Sequence, residues 1–300
     1  MAVTLIQQES VPLFNAFEKC SERCVISELG PGHENEVLEF LGARPIHTVF
    51  MSSMVRDNGL ASPDNRGSFY ACRNECGELE GVGLIGHATM VETRSDSALM
   101  VLARLARNCE VHLIRGEQET IDRFWEHYAR AGQKSRLISR ELLLEQREPL
   151  AIETRVDDLR MATISDLDKI LAVNASMALQ EAGVSPLQKD PAGFRQRTAR
   201  RIEQGRIWVW VNDNRLMFKA DVVAETPQAN YLEGVHVHPE ERMKGYGLRC
   251  LAQLSASLLS YSESICLTIN ERNKDALAFY AKAGYEFRTP YETIYLNENL

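Results

Sequence analysis

The stretch "HPEERMKGYGLRC", residues 238–250, joins an extended run over residues 231–237 to a long helical pattern. Within it, Arg242 is followed by Gly245 and Gly247 in the spacing R-x-x-G-x-G. Glycine lets backbone N–H groups approach a bound group closely, and the start of a helix carries partial positive charge. This strand–turn–helix junction therefore predicts a binding site for an anion such as a phosphate.

Two other phosphate-binding motifs are disfavoured. The chain contains no G-x-x-x-x-G-K-[ST] string, so a P-loop is excluded. The string Gly81-Val-Gly83-Leu-Ile-Gly86 fits a dinucleotide fingerprint, but "HATMVET" follows it and has the pattern of a strand. Because the fingerprint requires a helix there, a Rossmann-type dehydrogenase that binds NAD(H) stays a weak alternative.

Length and composition predict a globular protein of two domains. The chain has 300 residues, of which 44% are hydrophobic and 25% charged. A polar stretch within "LEQREPLAIETR", residues 144–155, separates two segments that each restart with a strand-then-helix pattern. We therefore expect domains at residues 1–150 and 151–300, and no internal repeat is evident by eye.

Charge and hydropathy exclude several classes of partner. The net charge of −8 argues against nucleic acid and is compatible with a cationic or amine substrate. No apolar run approaches the roughly 18 residues that a membrane span needs. The start of the chain, "MAVTLIQQESVPLF", has neither a cationic region nor a long apolar one, so no signal peptide is expected.

The cysteines indicate a reducing compartment. There are seven, an odd number, and they are scattered along the chain, which predicts reduced thiols and a cytoplasmic location. Cys20 and Cys24, like Cys72 and Cys76, have C-x3-C spacing, but neither pair has a histidine at finger-like spacing. We therefore expect no metal site.

Local patterns predict alternating strands and helices. Residues 97–106 and 117–130 have helical patterns, and Ser165-x-x-Asp168 has the form of a capping box that opens another helix. Asp213-Asn214 is typical of a hairpin turn between two strands, and "YEFRTPYETIYL", residues 285–296, suggests a closing hairpin.

Two motifs at the right distance from each other resemble a known superfamily. V-x-V-x-P-x-x-R-x-x-G-x-G, residues 235–247, is followed by a strand and then by N-x-x-A-x-x-F-Y-x-x-x-G-Y, residues 273–285. This combination, spanning about residues 154–296, resembles the GNAT superfamily of acyl-CoA-dependent N-acyltransferases. The whole chain resembles a two-domain group of that superfamily whose N-terminal half is an uncharacterised, degenerate GNAT-like unit.

The resemblance implies a fold and a cofactor. The fold is α/β, a mixed and mostly antiparallel sheet flanked by helices, and the cofactor is acetyl-CoA, whose pyrophosphate would lie at the glycine turn. The N-terminal half lacks an R-x-x-G-x-G turn, so it is not expected to bind the cofactor in this way. The expected cofactor contacts are Val235, His236, Val237, Arg242, Met243, Lys244, Gly245, Tyr246, Gly247, Leu248, Asn270, Asn273, Ala276 and Tyr280.

Acyl transfer to an amine needs a base and an acid. In the family, a tyrosine at the position of Tyr280 protonates the leaving thiolate, and we expect that role here rather than that of a half-buried packing residue beside Phe279. Glu233 is the expected base. It lies on the same strand face as Val235 and Val237, and a carboxylate among apolar neighbours would have a raised pKa, which suits a base. Glu181 and Ser185 are expected to line the acceptor site.

The leading hypothesis is an N-acetyltransferase that acts on a primary amine of a small molecule or a protein. The alternative is a non-catalytic, coenzyme A-binding regulatory module. The identity of the acceptor, the length of the acyl chain and the oligomeric state stay open at the level of the sequence.

Overall fold

The computed structural model describes residues 24–151 and 154–297. Residues 24–150 of the first half contain six strands and four helices. The strands are Val25–Glu28 (β1), Gly67–Arg73 (β2), Leu79–Gly86 (β3), Ala88–Thr93 (β4), Leu113–Glu117 (β5) and Ser135–Gln146 (β6). The helices are Glu34–Gly42 (α1), Pro45–Asn58 (α2), Asp96–Ala106 (α3) and Gln118–Tyr128 (α4).

The second half contains six strands and five helices among its described residues. The strands are Arg160–Met161 (β7), Ile207–Asn212 (β8), Arg215–Glu225 (β9), Asn230–Val237 (β10), Ile265–Asn270 (β11) and Glu286–Leu296 (β12). The helices are Leu167–Ala182 (α5), Pro186–Lys189 (α6), Pro191–Glu203 (α7), Tyr246–Leu258 (α8) and Lys274–Lys282 (α9).

All twelve strands form one continuous sheet. Its order is β1-β2-β3-β4-β5-β12-β6-β11-β10-β9-β8-β7. Among these twelve strands of the described residues, only the pairs β4–β5 and β10–β11 are parallel. The mixed, mostly antiparallel sheet and its flanking helices confirm the fold class expected from the sequence.

The last strand of each half pairs with strands of the other half. Strand β6 of the first half lies between β11 and β12, and β12 of the second half lies between β5 and β6. The pairing of β6 with β12 runs from Glu286↔Glu145 to Leu296↔Ser135. The division near residue 150 stays a prediction, and neither half completes its part of the sheet from its own residues.

The two halves repeat one order of elements. Each runs strand, helical segment, three strands, helix, strand, helix and strand, with the extra short helix α6 in the second half. The repeat is visible in sequence where α4 and α9 end, as "YARAG" from Tyr128 to Gly132 and "YAKAG" from Tyr280 to Gly284. Both glycines have positive φ, +90° and +88°. The structure therefore contains a repeat that was not evident by eye in the sequence.

Several local predictions can be compared with the structure. Asp213 and Asn214 both have positive φ and join β8 to β9, so the predicted hairpin is confirmed. The predicted closing hairpin is wrong, because residues 286–296 form the single strand β12 with a register shift between Phe287 and Thr289. The sequence also predicted that residues 81–86 do not form a dinucleotide-binding turn. This prediction is confirmed, because these residues lie on β3, which leads into strand β4 rather than into a helix.

The predicted capping box is displaced by two residues. The N–H of Thr163 donates to Asp166 Oδ2 at 2.9 Å, and these residues start a short 3-10 turn that leads into α5. Ser165 and Asp168 fit the same sequence pattern, but Asp166 also forms an ion pair with Arg160 at 2.8 Å. The Arg160 contact favours the Thr163–Asp166 box, because a buried carboxylate is stable only with partners.

Helices cover both faces of the second half's strands. On one face, α8 and α9 bury Leu251, Leu254 and Tyr280 against strand residues that include Phe218 and Leu232. On the other face, α5 and α7 pack on β8, and α2 of the first half packs on β9 and β10. Among the described residues, no helix combines the length and the hydropathy of a membrane span.

Candidate active site

A wedge opens between β10 and β11. The two strands pair at Asn230↔Ile265 and Tyr231↔Cys266, and their pairing ends there. Beyond that point β10 continues along β9, whereas β11 continues along β6 as far as Asn270↔Glu141. The facing edges therefore leave backbone N–H and C=O groups that can pair with an extended ligand.

A β-bulge at Gly234 directs β10 away from β11. The register with β9 shifts between Glu233↔Asp221 and His236↔Lys219, and Gly234 has φ of +59°. A Cβ at this position would lie 2.7 Å from Nζ of Lys219. Lys219 is fully buried and pairs with Asp221 at 3.0 Å. A glycine is therefore required here by backbone conformation and by the buried charge pair beneath it.

The glycine turn lies at the open end of the wedge. Gly245 is the N-cap of α8 with φ of +81°, and a Cβ there would meet no atom within 4 Å. A Cβ on Gly247 would lie 2.7 Å from Cγ2 of Val237, so this glycine allows α8 to approach β10. Arg249 donates the first helical hydrogen bond, to Gly245 O at 3.2 Å. The N–H groups of residues 246–248 precede that bond and point to the start of the helix.

The turn fits the pyrophosphate of coenzyme A. An exposed loop of positive-φ residues, Met243 and Gly245, precedes a helix start whose N–H groups are available to an anion. Arg242 donates from Nε to Val237 O at 3.1 Å, and Lys244 pairs with Glu241 at 3.3 Å. Both cations are exposed, so they can add charge to the backbone donors.

Tyr280 is buried, with 7% of its surface exposed. It shares a core cluster with Leu232 and Leu267, the residues at which β10 and β11 begin to part. Its ring makes edge contacts with Phe279 and Tyr285 at centroid distances of 5.2 Å and 5.4 Å. Burial, with nearby Tyr231 and Glu181, raises the pKa of Tyr280, so its hydroxyl keeps its proton at neutral pH.

Glu233 does not have the apolar surroundings that the strand pattern suggested. Its side chain is 54% exposed, and Oε1 lies 3.7 Å from Nη1 of Arg115. It follows the paired residues of β10 and stands just before the bulge. The carboxylate is therefore accessible from the wedge and is held beside a cation.

Arg115 is a residue of the site that sequence reasoning missed. It lies on β5, yet its Nη2 donates to Tyr231 Oη at 2.8 Å and to Thr268 Oγ1 at 2.9 Å. Strands β11 and β10 are three and four places from β5 in the sheet, so the sheet curves strongly over this face. The only signal in the sequence was an arginine within an apolar strand pattern, "EVHLIRG".

The carboxyl of Glu181 has a pKa that is shifted from its ordinary value. It lies near the end of α5, is accessible to solvent, and its pKa is raised to about 7. The causes are desolvation by surrounding protein, then the negative charges of Glu233 and Glu141. A side chain that is both accessible to solvent and crowded by protein lies in a recess, which supports its predicted place in the acceptor site.

Strand β6 of the first half forms another wall. Glu141 Oε2 accepts from Thr268 Oγ1 at 2.7 Å, and Ser139 accepts from Nδ2 of Asn270 at 3.2 Å. Arg136 donates to Ala182 O at 2.9 Å and so joins the start of β6 to the end of α5. The acceptor side of the cleft is therefore built from both halves.

The remaining predicted residues occupy fitting places, and their contacts with a cofactor or an acceptor stay predictions. Asn273 caps α9 by accepting from the N–H of Ala276 at 3.1 Å, as expected. Ser185 is half-buried at the start of α6. Burial and the nearby cations Lys219 and Arg242 lower the pKa of His236 to about 4. Asn270 is bound to Ser139 rather than free in the wedge.

No group of histidine, cysteine or carboxylate residues in the described part of the chain has the arrangement of a metal site. Cys72 is buried in β2 and Cys76 is exposed on the following turn. Cys20 lies outside the described residues, so the pair with Cys24 cannot be compared.

Residues 219–294 match the model of a family described as FR47-like protein. This segment contains β10, the glycine turn and Tyr280. The fold of the chain matches solved structures over nearly its whole length. The chain has the fold of the GNAT superfamily.

Three solved structures, two of them described as GNAT proteins, show how far the similarity extends. A Drosophila protein is 11% identical, covers 93% of this chain and 100% of its own, and gives a TM-score of 0.66. A tandem GNAT protein from the clavulanic acid biosynthesis pathway is 14% identical over 93% and 100%, with a TM-score of 0.57. A GNAT-family acetyltransferase from Colwellia psychrerythraea is 13% identical over 91% and 100%, with a TM-score of 0.55. A sequence search of curated proteins found no match.

Proposed function

We propose that the chain is a coenzyme A-dependent N-acyltransferase that moves an acetyl or another short acyl group to a primary amine. The observation that carries this proposal is the wedge between β10 and β11, which ends at the glycine turn before α8. The two strands that form the wedge contribute Leu232 and Leu267 to the core that contains Tyr280. Glu233 follows Leu232 on β10 and lies beside Arg115.

Bound acetyl-CoA would supply an activated acyl thioester. The N–H groups at the start of α8, with Arg242 and Lys244, would hold its pyrophosphate, and the unpaired edge of β10 would hold its pantetheine arm. A backbone N–H near Val237 would donate to the oxygen that becomes negative during acyl transfer. In the transfer, the amine nitrogen bonds to the acyl carbon, and the carbon–sulfur bond breaks.

Two protons move in this reaction. The attacking amine must lose a proton, and Glu233 or Glu181, directly or through a water, would accept it. Glu181, with a pKa of about 7, can take up a proton and release it again near neutral pH. The departing thiolate must gain a proton, and Tyr280 keeps its own at neutral pH and can donate it.

The charges of the cleft favour a cationic acceptor. Glu141, Glu181 and Glu233 influence one another electrostatically, and Arg115 is the nearby cation of the first half. An acceptor with a carboxylate beside its amine would be repelled, whereas a second ammonium group would be attracted. Leu137 and Leu179 are 36% and 51% exposed near the junction of β6 and α5, where they offer apolar contact.

The experiment is thiol release from acetyl-CoA by the full chain, with a panel of diamines, aralkylamines, amino acids and a lysine-containing peptide. We expect release with amines and higher kcat/KM for acceptors that lack a carboxylate. Tight binding of acetyl-CoA with no turnover for any acceptor would favour the regulatory module instead. Absence of binding would reject both functions.

A further inference from the structure

We propose that Arg115 of the first half is a positioning residue for the acceptor site of the second half, where it holds the carboxylates of Glu233 and Glu141. This inference rests on the proposed function and goes beyond it, because it makes catalysis by one half depend on a side chain of the other.

The guanidinium of Arg115 is fixed from several sides. Its Nη2 donates to the hydroxyl groups of Tyr231 and Thr268, at 2.8 Å and 2.9 Å. The rings of Phe50 and Tyr231 lie 5.0 Å and 5.5 Å from Cζ. With 16% of its side chain exposed, it has little freedom to move. A guanidinium held in this way presents its remaining N–H groups in a fixed direction.

Two carboxylates lie within ion-pair distance of the guanidinium. Nη1, which is not used by Tyr231 or Thr268, lies 3.7 Å from Glu233 Oε1, and Nη2, which donates to both of those hydroxyl groups, lies 3.7 Å from Glu141 Oε2. Glu141 is further anchored by Thr268, which donates to the same oxygen at 2.7 Å. Within residues 24–151 and 154–297, Glu233 has no such anchor and remains 54% exposed, so Arg115 is the residue that fixes it at the wall of the wedge.

Arg115 also offsets the negative charge of the cleft. The charges of Glu233 and Glu141 raise the pKa of Glu181, whereas those of Lys219 and Arg115 lower it. The groups that face this network from the packed elements are Tyr231 and Glu233 on β10, Glu141 on β6, Thr268 on β11, Lys219 on β9, Tyr280 on α9, and Tyr291 and Tyr295 on β12.

Replacement of Arg115 therefore has a signature that a structural role lacks. Without the cation, the pKa of Glu181 rises further, so Glu181 stays protonated to higher pH. For Arg115→Met, we expect the acid limb of the kcat/KM profile for the amine to move up by about half a unit or more. kcat/KM at neutral pH should fall by about 10-fold, and the Kd for acetyl-CoA should change little.

Arg206→Met is the matched control. Arg206 is 13% exposed, joins the two halves through Asp57, and also pairs with Glu225, away from the acceptor carboxylates. Its loss should lower the stability of the protein but leave the acid limb in place. Arg115→Gln, which retains a donor for Tyr231 and Thr268, serves if Arg115→Met does not fold.

A second readout needs no turnover. The side-chain carboxyl of Glu181, labelled with ¹³C and assigned with Glu181→Gln, should titrate at higher pH in the Arg115 variant than in the wild type. If the wild type is active, and the Arg115 variant has the same acid limb and the same Glu181 titration as the wild type, this inference is overturned and the proposed function is not. A wild type that turns over no amine would overturn the proposed function and this inference with it.

Discussion

Each half of the sheet contains a parallel pair of strands that part after two paired residues, but different side chains occupy the gap in each half. In the first half, β4 and β5 pair at Ala88↔Leu113 and Thr89↔Ile114 and then part, as β10 and β11 do. Arg44 spans the gap between them and pairs with Glu92 on β4 at 3.4 Å and with Glu117 on β5 at 2.6 Å. The second half leaves its gap open toward the glycine turn.

A small cavity lies beside this charged group, between the two halves. Its volume is about 30 Å³, which is room for about one water molecule, and its lining includes Arg44, His47, Glu92, Glu117 and Tyr291. After β4 the chain enters α3 through Ser95, whose side chain caps the helix by accepting from Ala98 N–H at 3.4 Å. A helix start already capped by its own side chain, without a glycine turn, offers less to a phosphate.

Under the proposed function, one topology serves binding in one half and support in the other. In each half the splay follows a short parallel pair of strands. We infer that binding depends on whether an arginine and carboxylates on both strands bridge the gap, as Arg44, Glu92 and Glu117 do in the first half. The following predictions test whether the halves are divided in this way, beginning with the largest expected effect.

The tyrosines at the ends of α4 and α9 should differ in function. Tyr280→Phe removes the hydroxyl that we propose as the proton donor and leaves the ring packing intact, so kcat should fall by roughly 100-fold with little change in the Kd for acetyl-CoA. Tyr128 occupies the matching place before Gly132, and Tyr128→Phe should keep wild-type kcat. Steady-state thiol release and calorimetric binding measure both. Equal rates for wild type and Tyr280→Phe would make Tyr280 a packing residue.

The positive-φ glycines should separate binding from backbone strain. Gly245→Val introduces a branched side chain at φ of +81° on the anion-binding turn, and acetyl-CoA affinity should fall by about 10-fold or more. Gly132→Val introduces the same strain at φ of +90°, also with no atom within 4 Å, in the half that lacks the turn. It should lower Tm but leave affinity unchanged. Normal binding by a folded Gly245→Val variant would contradict the phosphate turn.

The raised pKa of Glu181 should make stability depend on pH. Because the folded pKa, about 7, lies above the unfolded value of 4.5, the folded protein gains stability from this group at low pH and loses it as pH rises from 4.5 to 7. Glu181→Gln should therefore have a Tm that improves relative to wild type over that range. Glu75→Gln, at an exposed turn of the first half, is the control. A constant Tm difference across the range would show that Glu181 is not crowded by negative charge in solution.

The sequence by itself determined several local elements and the glycine turn. The spacing of Arg242, Gly245 and Gly247 predicted a strand–turn–helix junction, because positive φ and close backbone approach both demand glycine at fixed positions. Asp213-Asn214 predicted its hairpin, and Asn273 its helix cap, for equally local reasons. Such features depend on a few consecutive residues, so a single sequence is sufficient to find them.

Only the tertiary structure decided how the acceptor side of the cleft is assembled. The exchange of β6 and β12 depends on pairing between residues about 150 positions apart, as in Glu141↔Tyr291, and no local pattern specifies such a pairing. Arg115 came to lie beside Glu233 through that exchange and through the curvature of the sheet. The surroundings of Glu233, predicted as apolar from its own strand, were therefore set by a charge from the opposite half of the chain.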